Sequence, residues 1–148
     1  MTDDMYYAKC WLDRTRGFQL KIDALDRKRQ IVQNGLSGVS KYSAKENTSD
    51  HYENATEAAF CEFSMLSAMI EKEQNVLAYE DAKTLEVISK LENQSQQAVL
   101  IDRYINRLPW SQIAAHEYYS ESHVKELHSA ALKEIYQYIP RDEIILTA

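Results

Sequence analysis

Tyr104–Leu132 reads YINRLPWSQIAAHEYYSESHVKELHSAAL, and the reading of this stretch decides the fold. Pro109 suits the opening of a helix, because its missing N–H would be unpaired at a first helical position anyway. Trp110, Ile113 and Ala114 then fall on one face, at spacings of three and four. Tyr118 and Tyr119 form a break, and Ser120 is suited to cap a second helix with its hydroxyl. Val124, Leu127, Ala131 and Ile135 carry a buried stripe along that helix until Pro140 stops it. Two helices about a tight turn make a helix-turn-helix, although a plain helical hairpin in a bundle would show the same spacing.

Outward from this pair, Gln94–Ile105 reads as a further helix, with Ala98, Leu100, Ile101, Tyr104 and Ile105 largely apolar. Before it, no Gly or Pro occurs from Val39 through Leu108. Ala55, Ala59, Phe63, Leu66, Ile70, Leu77, Ile88 and Leu91 step by threes, fours and their sums, which predicts a long helix over about 50–91. Asp50 with Glu53 resembles a capping box at its start. A first helix is expected over about 5–33, with Trp11, Phe18, Leu25 and Val32 as a heptad seam. Its companion row holds Arg14, Lys21 and Lys28, so the seam is thinner than a strict coiled coil requires. Gly17 lies within this helix, where it permits a bend. Residues 34–49, rich in Gly, Ser and Asn, read as a loop.

The expected fold is therefore all-α: a long antiparallel helical hairpin over 1–92, a helix-turn-helix domain over 93–139 and a short tail over 140–148. Ile144, Ile145 and Leu146 in that tail are expected to dock on the hairpin or on another subunit. Two helices sharing one seam leave other apolar faces exposed, so the hairpin is expected to self-associate.

Charge is unevenly placed along the chain. Of 148 residues, 17 are Lys or Arg and 23 are Asp or Glu, a net charge of −6. Residues 39–94 hold five bases against eleven acids, so they are not a DNA-facing surface. Arg14, Arg16, Lys21, Arg27, Lys28 and Arg29 form the one basic concentration, read as a solvated helix face or, less simply, as a phosphate-contacting one. Cys10 and Cys61 lie far apart without a CxxC partner, which fits reduced thiols in a cytoplasmic protein. No apolar run approaches the length of a membrane span.

Catalytic signals are missing from the sequence. There is no phosphate-cradling glycine loop and no nucleophile motif. His123 and His128 are five residues apart and share no helical face, and no HExxH occurs, so neither metal nor cofactor is expected. The expectation is a protein that is not an enzyme.

The segment from Leu108 to Leu132 resembles region 4 of the sigma-70 family. The matching positions are Leu108, Trp110, Ile113, Ala114, Tyr119, Ser120, Glu121, His123, Val124, Leu127, His128, Ala131 and Leu132, in register and without a gap. In overall layout the chain is similar to small phage and prophage proteins with a helical N-terminal half, broadly the ArpU and RinA types of transcription regulator. Two positions depart from the family: its turn glycine is Tyr118 here, and a neighbouring apolar position is Glu117. A bulky residue at a left-handed turn position is strained.

The resemblance implies that the second helix enters the major groove of double-stranded DNA. Its reading residues would be Ser120, Glu121, Ser122, His123, Lys125, Glu126, His128 and Ser129, with Arg103, Arg107 and Lys133 adding backbone contacts. His123 and His128 would lie on the exposed front. It also implies a transcription regulator acting in a bacterial host cell as a homo-oligomer. The alternative is an interaction module that docks on RNA polymerase or another protein without touching DNA.

Overall fold

The computed structural model describes residues 1–42 and 49–142, with side chains described at 1–36 and 54–142. Among these residues the protein is all-α, with no strand. Its helices are α1 (Asp3–Asp13), α2 (Arg16–Tyr42), α3 (Ser49–Ile88), α4 (Gln94–Leu100), α5 (Trp110–Glu117) and α6 (Glu121–Ile135). A π-helical turn, Ile101–Ile105, continues α4, and a 3₁₀ turn, Tyr136–Tyr138, follows α6.

Local chemistry sets several of these boundaries. The Thr2 hydroxyl accepts the Met5 N–H at 3.3 Å, and Asp3 and Asp4 sit at the positive end of the α1 dipole. The Asn93 side chain caps α4 through the Gln96 N–H at 3.1 Å. Pro109 stands just ahead of α5 as its cap residue, and its carbonyl accepts from the Gln112 and Ile113 N–H groups.

Two expectations need correction, both before the long helix. The helix expected over 5–33 is broken at Arg14 and Thr15, where α1 ends in a tightened turn with the Arg14 N–H on the Trp11 carbonyl at 3.2 Å. The helix after the break runs on to Tyr42, through Gly35 and Gly38, so residues 34–42 are helical rather than loop. The long helix, at Ser49–Ile88, agrees with its expected span of about 50–91 to within a few residues. The proposed contacts of Asp50 and Glu53, residues 43–48 and the tail residues Ile144, Ile145 and Leu146 lie outside what is described.

The chain forms two compact units, and they do not divide at residue 92. One comprises Met1–Arg16 and the chain from Ala78 onward; the other is Gly17–Leu77. In the first unit Ala8, Trp11 and Leu12 of α1 join Val87 and Ile88 of α3, Leu100 of α4, and Ala131, Leu132 and Ile135 of α6 in one core. A smaller cluster, Val99, Ile113, Ala114 and Val124, fastens α5 and α6 to α4, with Leu108, Trp110 and Leu127 against it. Fully burying a Leu- or Ile-sized side chain contributes about 1.5–3 kcal/mol, so these clusters fix α6 firmly.

The second unit is an antiparallel pair. Ion pairs run from Lys21 to Glu73 at 2.8 Å and from Lys28 to Glu62 at 3.7 Å, and Arg29 reaches Ser67 at 3.4 Å. Among the described residues its buried seam is Ile22, Val32, Leu66, Ile70 and Leu77, of which Ile22, Ile70 and Leu77 cluster with Phe18 and Leu25 packed alongside. No helix among the described residues is long and apolar enough to cross a membrane.

Candidate nucleic-acid interface

The turn between α5 and α6 is three residues, Tyr118, Tyr119 and Ser120. Tyr118 takes the left-handed conformation (φ 58°, ψ 35°), so the backbone there does what a glycine would do more cheaply. Its N–H and that of Tyr119 both reach the Ala114 carbonyl, which closes the end of α5. The Tyr118 side chain is 95% exposed, and only water surrounds the ring that the left-handed backbone carries. Glu117 is half-buried, so it escapes full desolvation. Ser120 caps α6 as expected, accepting the His123 N–H at 3.1 Å.

Val124, His128, Ala131, Leu132 and Ile135 define the inward face of α6. At about 100° per residue, Ser122, Glu126, Ser129 and Lys133 form the row most nearly opposite. Ser120, Glu121, Ser122, His123, Lys125, Glu126 and Ser129 are all exposed. The structure therefore brings together seven of the eight α6 positions expected to read DNA. Glu121 occupies the first residue of α6, where a carboxylate complements the helix dipole. The His123 ring packs edge-on against Tyr119, with centroids 4.6 Å apart, and its Nδ1 lies 3.8 Å from a Glu126 carboxylate oxygen.

His128 is the exception. It was expected on the exposed front but is 7% exposed, and its Nε2 is 2.6 Å from the Tyr104 hydroxyl. Its ring stacks with Tyr104 and meets Trp110 edge-on at 4.8 Å. Burial lowers the His128 pKa to about 4, with the positive charges of Arg103 and Lys9 adding to the effect, while burial pushes the Tyr104 hydroxyl up. Near neutral pH the imidazole is uncharged and the tyrosine keeps its proton, so the two share one neutral hydrogen bond whose direction follows the imidazole tautomer.

Both arginines expected to touch the DNA backbone are engaged internally. Arg103 donates to the Leu108 carbonyl at 3.0 Å and lies 4.3 Å over the Trp110 ring. Arg107, itself in a positive-φ conformation (57°), donates to the Ile105 carbonyl at 2.6 Å and reaches Thr15 at 3.3 Å and Asp81 at 3.5 Å. Burial raises the Asp81 pKa, against the lowering influence of Arg107 and Arg14. Arg103 thus braces the start of α5, and Arg107 ties the segment ahead of α5 to Thr15 and Asp81. Tyr104, the partner that takes His128 off the surface, reads in the sequence only as one more apolar helix position.

Of the basic concentration at 14–29, Arg14 pairs with Glu80 at 3.2 Å, Arg29 with Asp26 at 2.8 Å, and Lys21 and Lys28 pair across the hairpin. Arg16 and Arg27 are exposed. This pattern is that of a solvated, ion-paired helix face. Among the described residues no three of His, Cys, Asp or Glu come together as a metal site. No family model, curated protein or solved structure matches the chain.

Proposed function

We propose that the protein is a DNA-binding transcription regulator of the phage or prophage type, with α6 as its reading helix and the hairpin as its means of self-association. The observation that carries this is the presentation of α6. Its back is locked into two apolar clusters, its start is capped by Ser120 beyond a three-residue left-handed turn, and its front shows seven polar side chains to solvent. A rigid helix with an open polar face can enter a major groove.

Affinity per protomer is low in this proposal. With Arg103 and Arg107 occupied, Lys125 and Lys133 are the cations that α6 offers, so roughly two phosphates are neutralised per copy. Pairing two copies doubles that number. A second apolar row on α3, with Met65 57% exposed and Met69 and Val76 each 38%, supports such pairing.

The test is fluorescence anisotropy against duplex fragments tiling the surrounding genome, at two salt concentrations. Tight binding to one fragment, weakened by salt and abolished by Lys125→Glu, is the expected result. Uniformly weak binding would sink it. The occupied arginines and the two acids flanking Lys125 on α6 favour a second reading, a module that docks on RNA polymerase or another protein. On that reading Lys125→Glu changes no DNA binding, and charge reversal at the exposed Glu71 disturbs partner capture.

A further inference from the structure

The outward row of α6 begins Ser122, Glu126, Ser129, and its one charged member in this N-terminal stretch is an acid. A carboxylate held between two phosphate strands is repelled by both, and it lowers affinity for any sequence unless a base supplies a donor. Resting on the DNA-reading proposal above, we infer that Glu126 is a specificity determinant that selects cytosine in the major groove.

The chemistry of the groove leads to that base. An ionised carboxylate only accepts hydrogen bonds. Guanine presents two acceptors and thymine one, so both repel it. Adenine offers its N6 amino group, but beside an N7 acceptor that opposes the second carboxylate oxygen. Cytosine offers the N4 amino group flanked by its own C5–H on one side, with the O6 of its paired guanine as the one neighbouring acceptor, whereas the adenine N6 lies between N7 and the O4 of its paired thymine. Glu126 therefore ranks cytosine first, adenine second, and rejects the other two.

The surroundings of Glu126 fit this role. The His123 Nδ1 lies 3.8 Å from its Oε2, and the His123 ring is itself braced against Tyr119. At that separation His123 makes no hydrogen bond to the carboxylate, which is 75% exposed and open to a base edge. Glu121 does not share the role, because it sits at the first position of α6, off the outward row.

The experiment is selection of bound sequences from a random duplex pool by the full chain, as wild type, Glu126→Gln and Glu126→Ala. Glu126 is exposed, so neither change disturbs the fold. The wild type is expected to enrich a motif with one position fixed as cytosine, favoured roughly tenfold or more over guanine and thymine. Glu126→Gln moves that position to adenine, because an amide pairs with both N6 and N7, and leaves the rest of the motif in place. Glu126→Ala erases the preference there and binds unselected DNA more tightly than the wild type. One motif shared unchanged by all three proteins overturns the role of Glu126 while leaving DNA reading intact. No enrichment by the wild type overturns DNA reading, and this inference with it.

Discussion

The two units of this chain use the same kind of element and bury it very differently. Around α6, side chains from four helices converge, and Trp11, Leu12, Ile88, Leu100, Leu132 and Ile135 are lost to solvent almost completely. Between Gly17 and Leu77 two helices meet, and the buried seam among the described residues is Ile22, Val32, Leu66, Ile70 and Leu77, none of them as fully enclosed as those six around α6. A helix surrounded by neighbours can hide a wide stripe; a helix with one neighbour can hide only a narrow one. The first unit has thereby fixed the pose of its exposed face. The second has left apolar surface uncovered, with Leu20, Ile31, Phe60 and Met65 all more than half exposed.

The largest expected effect separates the two cores directly. Leu132→Ala removes a fully buried side chain from a site walled on several sides, where collapse is restricted, and should cost about 4 kcal/mol. Leu77→Ala makes the same chemical change in the open seam, where neighbours can move in, and should cost about 2 kcal/mol. Urea denaturation of both variants measures the gap. Equal losses would mean that the hairpin seam is as constrained as the core around α6, and the contrast would fail.

A smaller effect belongs to the first unit alone. His128 has a folded pKa near 4 against an ordinary value of 6.5, so the unfolded chain takes up this proton first as pH falls. Its contribution is fully present above pH 6.5 and is lost as pH drops toward 4, amounting to roughly 2 kcal/mol between pH 7 and 4.5. Asp81 acts in the opposite sense. Its raised pKa means that the folded state gains a proton before the unfolded one, which partly offsets the loss. The useful comparison is therefore wild type against His128→Gln, which keeps an acceptor for Tyr104 but removes the titration. The wild type should lose stability faster than the variant through this window. Parallel pH profiles would show that the buried imidazole is not what titrates.

Much of this was legible along the chain, and the failures have specific causes. The span of α3, the break at Tyr118–Tyr119 and the Ser120 cap all follow from local periodicity and turn chemistry. The burial of His128 was legible too: Val124, His128, Ala131 and Ile135 step by four, three and four, a better inward ladder than one through Leu127. A polar name on an apolar face concealed it. The fates of Arg103 and Arg107 were not legible. Thr15 and Asp81 stand 92 and 26 residues away from Arg107, and nothing local announces either contact. The break between α1 and α2 carries a contact of the same long-range kind, Arg14 to Glu80, 66 residues away. In α2 the reverse happened. Gly35 and Gly38 should weaken a helix by about 1 kcal/mol each relative to alanine, yet α2 continues through them.

The smallest expected change in stability comes from the uncovered row of the hairpin. Met65, Met69 and Val76 follow one another at four and seven residues along α3, on a flank roughly 100° round the helix from Ile70 and Leu77. Because these side chains are substantially exposed in the single chain, Met65→Ser with Met69→Ser should alter its unfolding free energy by no more than about 0.5 kcal/mol. The same pair of substitutions should shift the protein from self-associated species to monomer in sedimentation equilibrium. If DNA reading depends on two copies, operator affinity falls with it while the isolated α5–α6 geometry is untouched. Lys72 lies within this row, and a parallel pairing would set it against its own copy, so a lower-salt buffer should weaken a parallel assembly and spare an antiparallel one. A monomeric wild type would remove the row from any role in assembly. The exposed apolar surface would then mark contact with a different protein, and the difference between the two units would be one of packing alone.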